Sequence, residues 1–131
     1  MEQPSSRKRF IFNKKIDHEF IFSLYEDDFE YLVQVFETSL ESLGPDLQIL
    51  YDAYADSNLQ DMKRAIHKIK PVFGFTGLLQ HQAAIENFQK RYASETDTLQ
   101  LASEYEELLK GIYDGRRIIE EEYERLNKFI G

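Results

Sequence analysis

No cysteine occurs anywhere in the 131 residues, which excludes disulfide frameworks, thiolate metal sites and cysteine nucleophiles together. Proline occurs only three times, so long stretches are free of the strongest helix breaker. No apolar run approaches the roughly 18 residues that a membrane span requires. The run Phe10-Ile11-Phe12, beside the basic N-terminus, is shorter than the about 7–15 apolar residues of a signal peptide. A cytoplasmic protein with no membrane partner is the expectation. Glycine-rich phosphate loops and the P-loop lysine motif are missing too, so ATP binding is not expected. One sign of charge is also missing locally. Between Ile16 and Met62 there is no Lys or Arg, only acids.

What is present follows from that charge pattern. The net charge is −8, yet residues 1–15 carry five bases against one acid, which leaves −12 for the remainder. The overall field repels nucleic acid, so a nucleic-acid partner is excluded despite the basic start. The first 15 residues read as a basic, disordered leader and residues 16–131 as one domain of ordinary size. Between Lys63 and Ile85 the sign inverts: Lys63, Arg64, Lys68 and Lys70 occur with no Asp or Glu.

The hydrophobic spacing is helical throughout. Asp17 is placed to cap a short helix carrying Phe20, Ile21 and Leu24, and Asp27 or Asp28 opens a longer one through Phe29, Leu32, Val33, Phe36, Leu40 and Leu43. Gly44-Pro45 interrupts that helix. The pattern resumes in phase at Leu47, Leu50 and Tyr54, which predicts a bent but continuous helix. Asn58 caps the next, burying Leu59, Met62, Ile66, Ile69 and Phe73, and Gly77 ends it. A fourth segment carries Leu78, Ile85, Phe88 and Tyr92. Thr96 or Asp97 caps a last helix of about 33 residues, or roughly 50 Å, whose end is expected to project beyond its neighbours. Gly111 and Gly115 lie inside it; close approach of a neighbouring helix would compensate for their low helix propensity. The resulting fold class is all-α: an antiparallel four-helix bundle with a short extra N-terminal helix.

On the helix that opens at Asn58, residues recur every 100°. With the core direction between Ile66, Ile69 and Phe73, His67 points about 120–140° away from it. Lys63 and Lys70 flank it on the side nearer the core, Arg64 and Pro71 on the other, and Gly74 removes bulk two turns on. A neutral imidazole nitrogen is a good nucleophile near neutral pH. Neighbouring cations stabilise a negative phosphoryl group once it is attached. The pattern suits phosphoryl handling, with the donor supplied by another protein.

The segment His67-x-Ile69-Lys70, followed after six residues by Gly77, resembles the signature of histidine-containing phosphotransfer (HPt) domains. The resemblance runs from about Ile16 to the last helix and includes the Phe36…Leu43-x-Pro45-x-Leu47…Leu50 stretch. It implies a four-helix bundle that shuttles a phosphoryl group between the aspartates of response-regulator receiver domains. His67 matches the phosphoacceptor, Lys70 the lysine that supports the phosphoryl group, and Gly77 the structural glycine that ends the motif. Lys63, Arg64, Lys68, Pro71 and Gly74 are candidates for docking or electrostatic roles. The implied partners are receiver domains, with a hybrid sensor histidine kinase as a further candidate. The implied protein is a monomeric carrier, not an enzyme, with no cofactor and no metal of its own. The family has Gly then Ser after the lysine, where this chain has Pro71 and Val72. Pro71 removes the amide that would bond the His67 carbonyl and should bend the helix.

Two other readings stand beside this one. A degenerate HPt-like bundle would bind receivers or kinases without carrying phosphate, and a helical enzyme or scaffold would leave His67 incidental. His81 falls near the apolar stripe of the fourth helix and reads as a partly buried, hydrogen-bonded residue. His18, between Asp17 and Glu19, reads as surface or capping. Three scattered histidines without a His-x-x-x-His spacing give no metal site. The Glu120-Glu121-Glu122 run reads as a solvated helix face.

Overall fold

The computed structural model describes residues 9–95 and 97–131. Among the described residues the chain forms five α-helices and no strand. They are α1 (His18–Tyr25), α2 (Phe29–Ala55), α3 (Leu59–Phe75), α4 (Leu79–Arg91) and α5 (Ala102–Ile130), with a 3₁₀ turn at Thr98–Leu101 before α5. The four long helices close a ring: α2 packs on α3 and α5, and α4 packs on α3 and α5. Short connections make sequential neighbours antiparallel. The short α1 lies against α2.

Local chemistry sets the helix starts. The carboxylate of Asp17 accepts the Phe20 amide (3.0 Å), that of Asp28 the Tyr31 amide (3.1 Å), and the Asn58 side-chain oxygen the Asp61 amide (3.1 Å). These are the N-cap bonds expected of Asp and Asn. Both Pro45 and Pro71 are inside continuous helices. The start of α5 differs from the sequence reading. Asp97 accepts the Leu99 amide (2.9 Å) and so caps the 3₁₀ turn, which leaves α5 with 29 residues. Thr96, the alternative cap, lies outside the described residues.

The core draws on every long helix: Phe36, Leu43, Leu47 and Leu50 from α2, Met62, Ile66, Ile69 and Phe73 from α3, Ile85 from α4, and Ile112, Ile119 and Leu126 from α5. Leu24 is half exposed instead of buried. An eight-residue helix covers little more than one position, and Ile21 takes it. The end of α5 does not stand free. Phe129 packs edge-on against Phe29, centroids 5.2 Å apart, at the start of α2.

The expected leader also needs correction. Residues 1–8 lie outside the described residues, but from Phe10 onward the chain is fastened to the bundle. Phe10 meets Phe129 edge-on at 5.5 Å and lies 4.6 Å beneath the Arg125 guanidinium, which donates to the Ile11 carbonyl (2.8 Å). The Asn13 amide donates to Glu122 (3.2 Å) and the Lys15 ammonium to Asp114 (3.0 Å). Aromatic area together with charge-assisted bonds outweighs the chain entropy that basic composition alone suggested. For the same reason Glu122 is not solvated. It is 3% exposed and holds Arg125 through both oxygens, at 2.6 and 2.7 Å.

The two interior glycines of α5 separate. A Cβ on Gly115 would lie 2.3 Å from the buried Phe73 ring and 3.2 Å from His81, whereas one on Gly111 would meet nothing within 4 Å. Close approach is therefore the reason for Gly115 alone. Gly115→Ala is expected to destabilise the fold by about 1–3 kcal/mol through overpacking. Gly111→Ala is expected to stabilise it by up to about 1 kcal/mol through helix propensity. Denaturation midpoints check the pair, and shifts of the same sign would contradict this assignment.

Candidate functional site

His67 is exposed on the outer face of α3, as its helical phase requires. Beside it a shallow groove of about 450 Å³ runs between α3 and the C-terminal end of α4. On the α3 side Gln60, Lys63, Arg64 and Lys68 join His67; on the α4 side the groove is walled by Phe88, Gln89 and Tyr92. Among the described residues no hydrogen bond or ion pair engages the imidazole.

The cations differ in how they are held. Lys63 donates to the carbonyls of Ala93 (3.2 Å) and Glu95 (3.3 Å), so its ammonium is tied to the chain just after α4. Arg64 pairs with Asp61 one turn back (3.2 Å) and is largely in solvent. Lys70 leans toward α4, where its ammonium lies 3.8 Å from Glu86. Lys68 is exposed and engaged by no described residue. A segment free of acids in sequence thus receives two in space, Asp61 and Glu86, and the cationic island is partly neutralised. An anion arriving at His67 would meet Lys68 unencumbered and Arg64 held only by an exposed pair that is weak in water, while Lys70 is half-buried beside Glu86.

Gly74 is half-buried, and an added Cβ would fall 2.5 Å from the side-chain amide nitrogen at the tip of Gln82 on α4. Gly77 is not in the groove. It sits at φ +76° in the turn after α3, where the Leu78 amide bonds the Phe73 carbonyl (2.8 Å) and the Gly77 amide bonds that of Gly74 (3.2 Å). Those two bonds form a Schellman motif, which needs a left-handed residue at this position. Pro71 is exposed one turn after His67. The structure therefore brings Lys63, Arg64 and Lys68 into the groove with His67, places Lys70 beside α4, and leaves Gly77 to the turn.

Sequence reading missed the contribution of α4. Gln82, Glu86 and Gln89 recur at helical spacing along one face, and each meets α3 or its groove. That polar stripe is visible in the sequence once the apolar one is set aside.

The other histidines fall as expected. His81 Nε2 is 2.8 Å from Asp114 and its ring stacks on Phe73, while His18 is exposed at the start of α1. Asp114 also accepts from Lys15 and Arg117, each at 3.0 Å. Bonds from His81, Lys15 and Arg117, in that order, hold its carboxyl well below the usual carboxylate range. A folded-state value below the unfolded one near 4 means that ionised Asp114 supports the fold fully above about pH 5 and that this support is lost as pH falls through the window beneath 4. Asp114→Asn is expected to be less stable than the parent at pH 7 and to lose less stability between pH 5 and pH 2. Urea titrations at a series of pH values check this; parallel profiles would contradict it.

No described helix is long and apolar enough to cross a membrane, and no three metal-ligating side chains gather among the described residues. No family model, curated protein or solved structure matches the chain. Its class rests on fold and site: an all-α four-helix bundle bearing an exposed histidine on α3 within a groove of mixed cations and amides.

Proposed function

We propose that this protein is a histidine phosphocarrier of a two-component phosphorelay, an HPt-type bundle that takes a phosphoryl group from one receiver aspartate and gives it to another. The observation that carries the reading is His67 itself: exposed, free of hydrogen bonds to described residues, and bordered in its groove by Lys63, Arg64 and Lys68. A nucleophile open to a partner's active site needs that absence of cover, and a phosphoryl product needs the cations. The match of His67, Lys70 and Gly77 to the HPt signature supports the same reading.

In the transfer, the imidazole lone pair forms an N–P bond as the O–P bond of the aspartyl phosphate breaks, and the carboxylate leaves with that electron pair. The proton on the other ring nitrogen is then free to pass to water. The reverse step delivers the group to a second receiver. Here the chain acts as a monomeric cytoplasmic carrier, a nucleophile and docking surface without its own cofactor, and the receiver brings the divalent metal.

Incubation of the full chain with a phosphorylated receiver domain tests the proposal. Acid-labile, base-stable phosphate is expected to appear on the chain as it leaves the receiver. Receiver binding without label would establish the alternative, a bundle that binds but does not carry, which Pro71 and the Lys70–Glu86 pairing favour. Lys70→Ala is expected to slow transfer or shorten the phosphohistidine lifetime several-fold while changing receiver affinity less. Lys70 must leave Glu86 to reach the phosphoryl group, and that group is absent from the unphosphorylated complex. Equal rates and lifetimes would reduce Lys70 to a partner of Glu86.

A further inference from the structure

A second and larger cleft, of about 730 Å³, opens between α4 and α5 on a part of the bundle that phosphotransfer does not use. That volume lies within the range of small-molecule sites. Its apolar wall is built from Phe73, Ile85, Phe88, Leu108 and Ile112, and the small residues Ala84 and Gly111 also line it. Buried side-chain polar atoms are normally paired. Among the described residues the buried His81 Nδ1 has no hydrogen-bond partner, whereas the Tyr92 hydroxyl is turned to the Glu104 carboxylate. Both side chains line this cleft.

The unpaired Nδ1 defines what would satisfy it. Asp114 is an acceptor to three donors, so in a neutral His81 ring Nε2 carries the proton and Nδ1 is left as an acceptor. An occupant must then bring a donor. The rim carries Glu104, Glu106, Glu107 and Asp114 against Lys15 and Arg91. Both bases are already paired, Lys15 with Asp114 at 3.0 Å and Arg91 with Glu104 at 3.4 Å. The excess of carboxylates disfavours an anion.

We propose that the α4–α5 cleft binds a small, largely apolar molecule that carries an N–H or O–H donor and is neutral or cationic. Phe88 and Tyr92, with ring centroids 4.5 Å apart, line both this cleft and the groove of His67. They form a common wall, so an occupant of the cleft presses on the surface beside the phosphoacceptor. The site stands whether or not His67 carries phosphate.

Amide NMR titration of the full chain with indole, tryptamine and indole-3-acetate tests the proposal. Saturable shifts at Ala84 and Gly111 are expected with indole and tryptamine, accompanied by Gln89 across the wall. Binding of indole-3-acetate is expected to be at least tenfold weaker. Ala84→Leu and Gly111→Leu, each checked for retained helicity, are expected to weaken tryptamine binding at least tenfold by filling the cleft. No saturable shift with any of the three probes would show a cleft that holds water only and would overturn the site. So would tryptamine binding that survives both fillings in folded variants, or indole-3-acetate binding as tight as that of tryptamine. Saturation at Ala84 and Gly111 with Gln89 unmoved would overturn the link to the His67 groove.

Discussion

Replacing His67 by glutamine is expected to abolish uptake of acid-labile phosphate while leaving unfolding free energy within about 0.5 kcal/mol of the parent. The side chain is exposed and makes no hydrogen bond to any described residue, so the fold loses little when it changes. The glutamine amide nitrogen has no available lone pair, so the nucleophile is lost outright and not merely weakened. No other histidine is suited to replace it. His81 is 12% exposed and committed to Asp114, and His18 lies at the start of α1, outside the groove. A variant that still takes up label at the parent's rate would remove His67 from the role. A variant that loses both label and helicity would show that the residue supports the fold.

Gly77→Ala is expected to have the largest effect on stability, a loss of about 2–5 kcal/mol from two sources that add. Its φ of +76° places it in the left-handed region, which costs a residue with a Cβ about 1–2 kcal/mol. That Cβ would also lie 2.6 and 2.9 Å from Ile21 and 3.0 Å from Ile16. Both are buried, and overpacking of this kind costs about 1–3 kcal/mol. The turn cannot easily move aside, because the Asp17 amide bonds the Gly77 carbonyl (2.9 Å) and so ties the chain before α1 to the α3–α4 turn. The melting temperature should fall by on the order of 10 °C or more. Transfer measured well below the new melting point should persist, since Gly77 lies in the turn and not in the groove. Unchanged melting with lost transfer would move Gly77 from the turn to the chemistry.

The features legible in sequence were those governed by local rules. The caps at Asp17, Asp28 and Asn58, the apolar stripes, the exposed face of His67 and the hydrogen-bonded His81 all follow from helical periodicity and short-range chemistry. What escaped depends on contacts distant in sequence. Glu122 reads as one of three acids in a row, yet it stands three residues after Ile119 and four before Leu126, on the buried face, with Arg125 and the Asn13 amide to receive it. That spacing was a signal, overridden by composition. Nothing local showed that Phe10 would find Phe129, or that Glu86 of α4 would reach Lys70. The groove was half legible for the same reason: its α3 side is one contiguous segment, and its α4 side is assembled by packing.

The departure from the HPt pattern at Pro71 leaves α3 continuous, but proline supplies no amide to the His67 carbonyl. A phosphocarrier role therefore turns on whether His67, presented in this way, accepts and releases a phosphoryl group. The most direct measurement is peptide mapping, at neutral to alkaline pH, of the full chain after incubation with a phosphorylated receiver, followed by addition of a second, unphosphorylated receiver. One phosphoramidate on the peptide containing His67 is expected, together with its disappearance as the second receiver gains label. A chain that binds the receiver yet stays unlabelled, or carries its label on His81 or His18, would contradict a carrier role for His67.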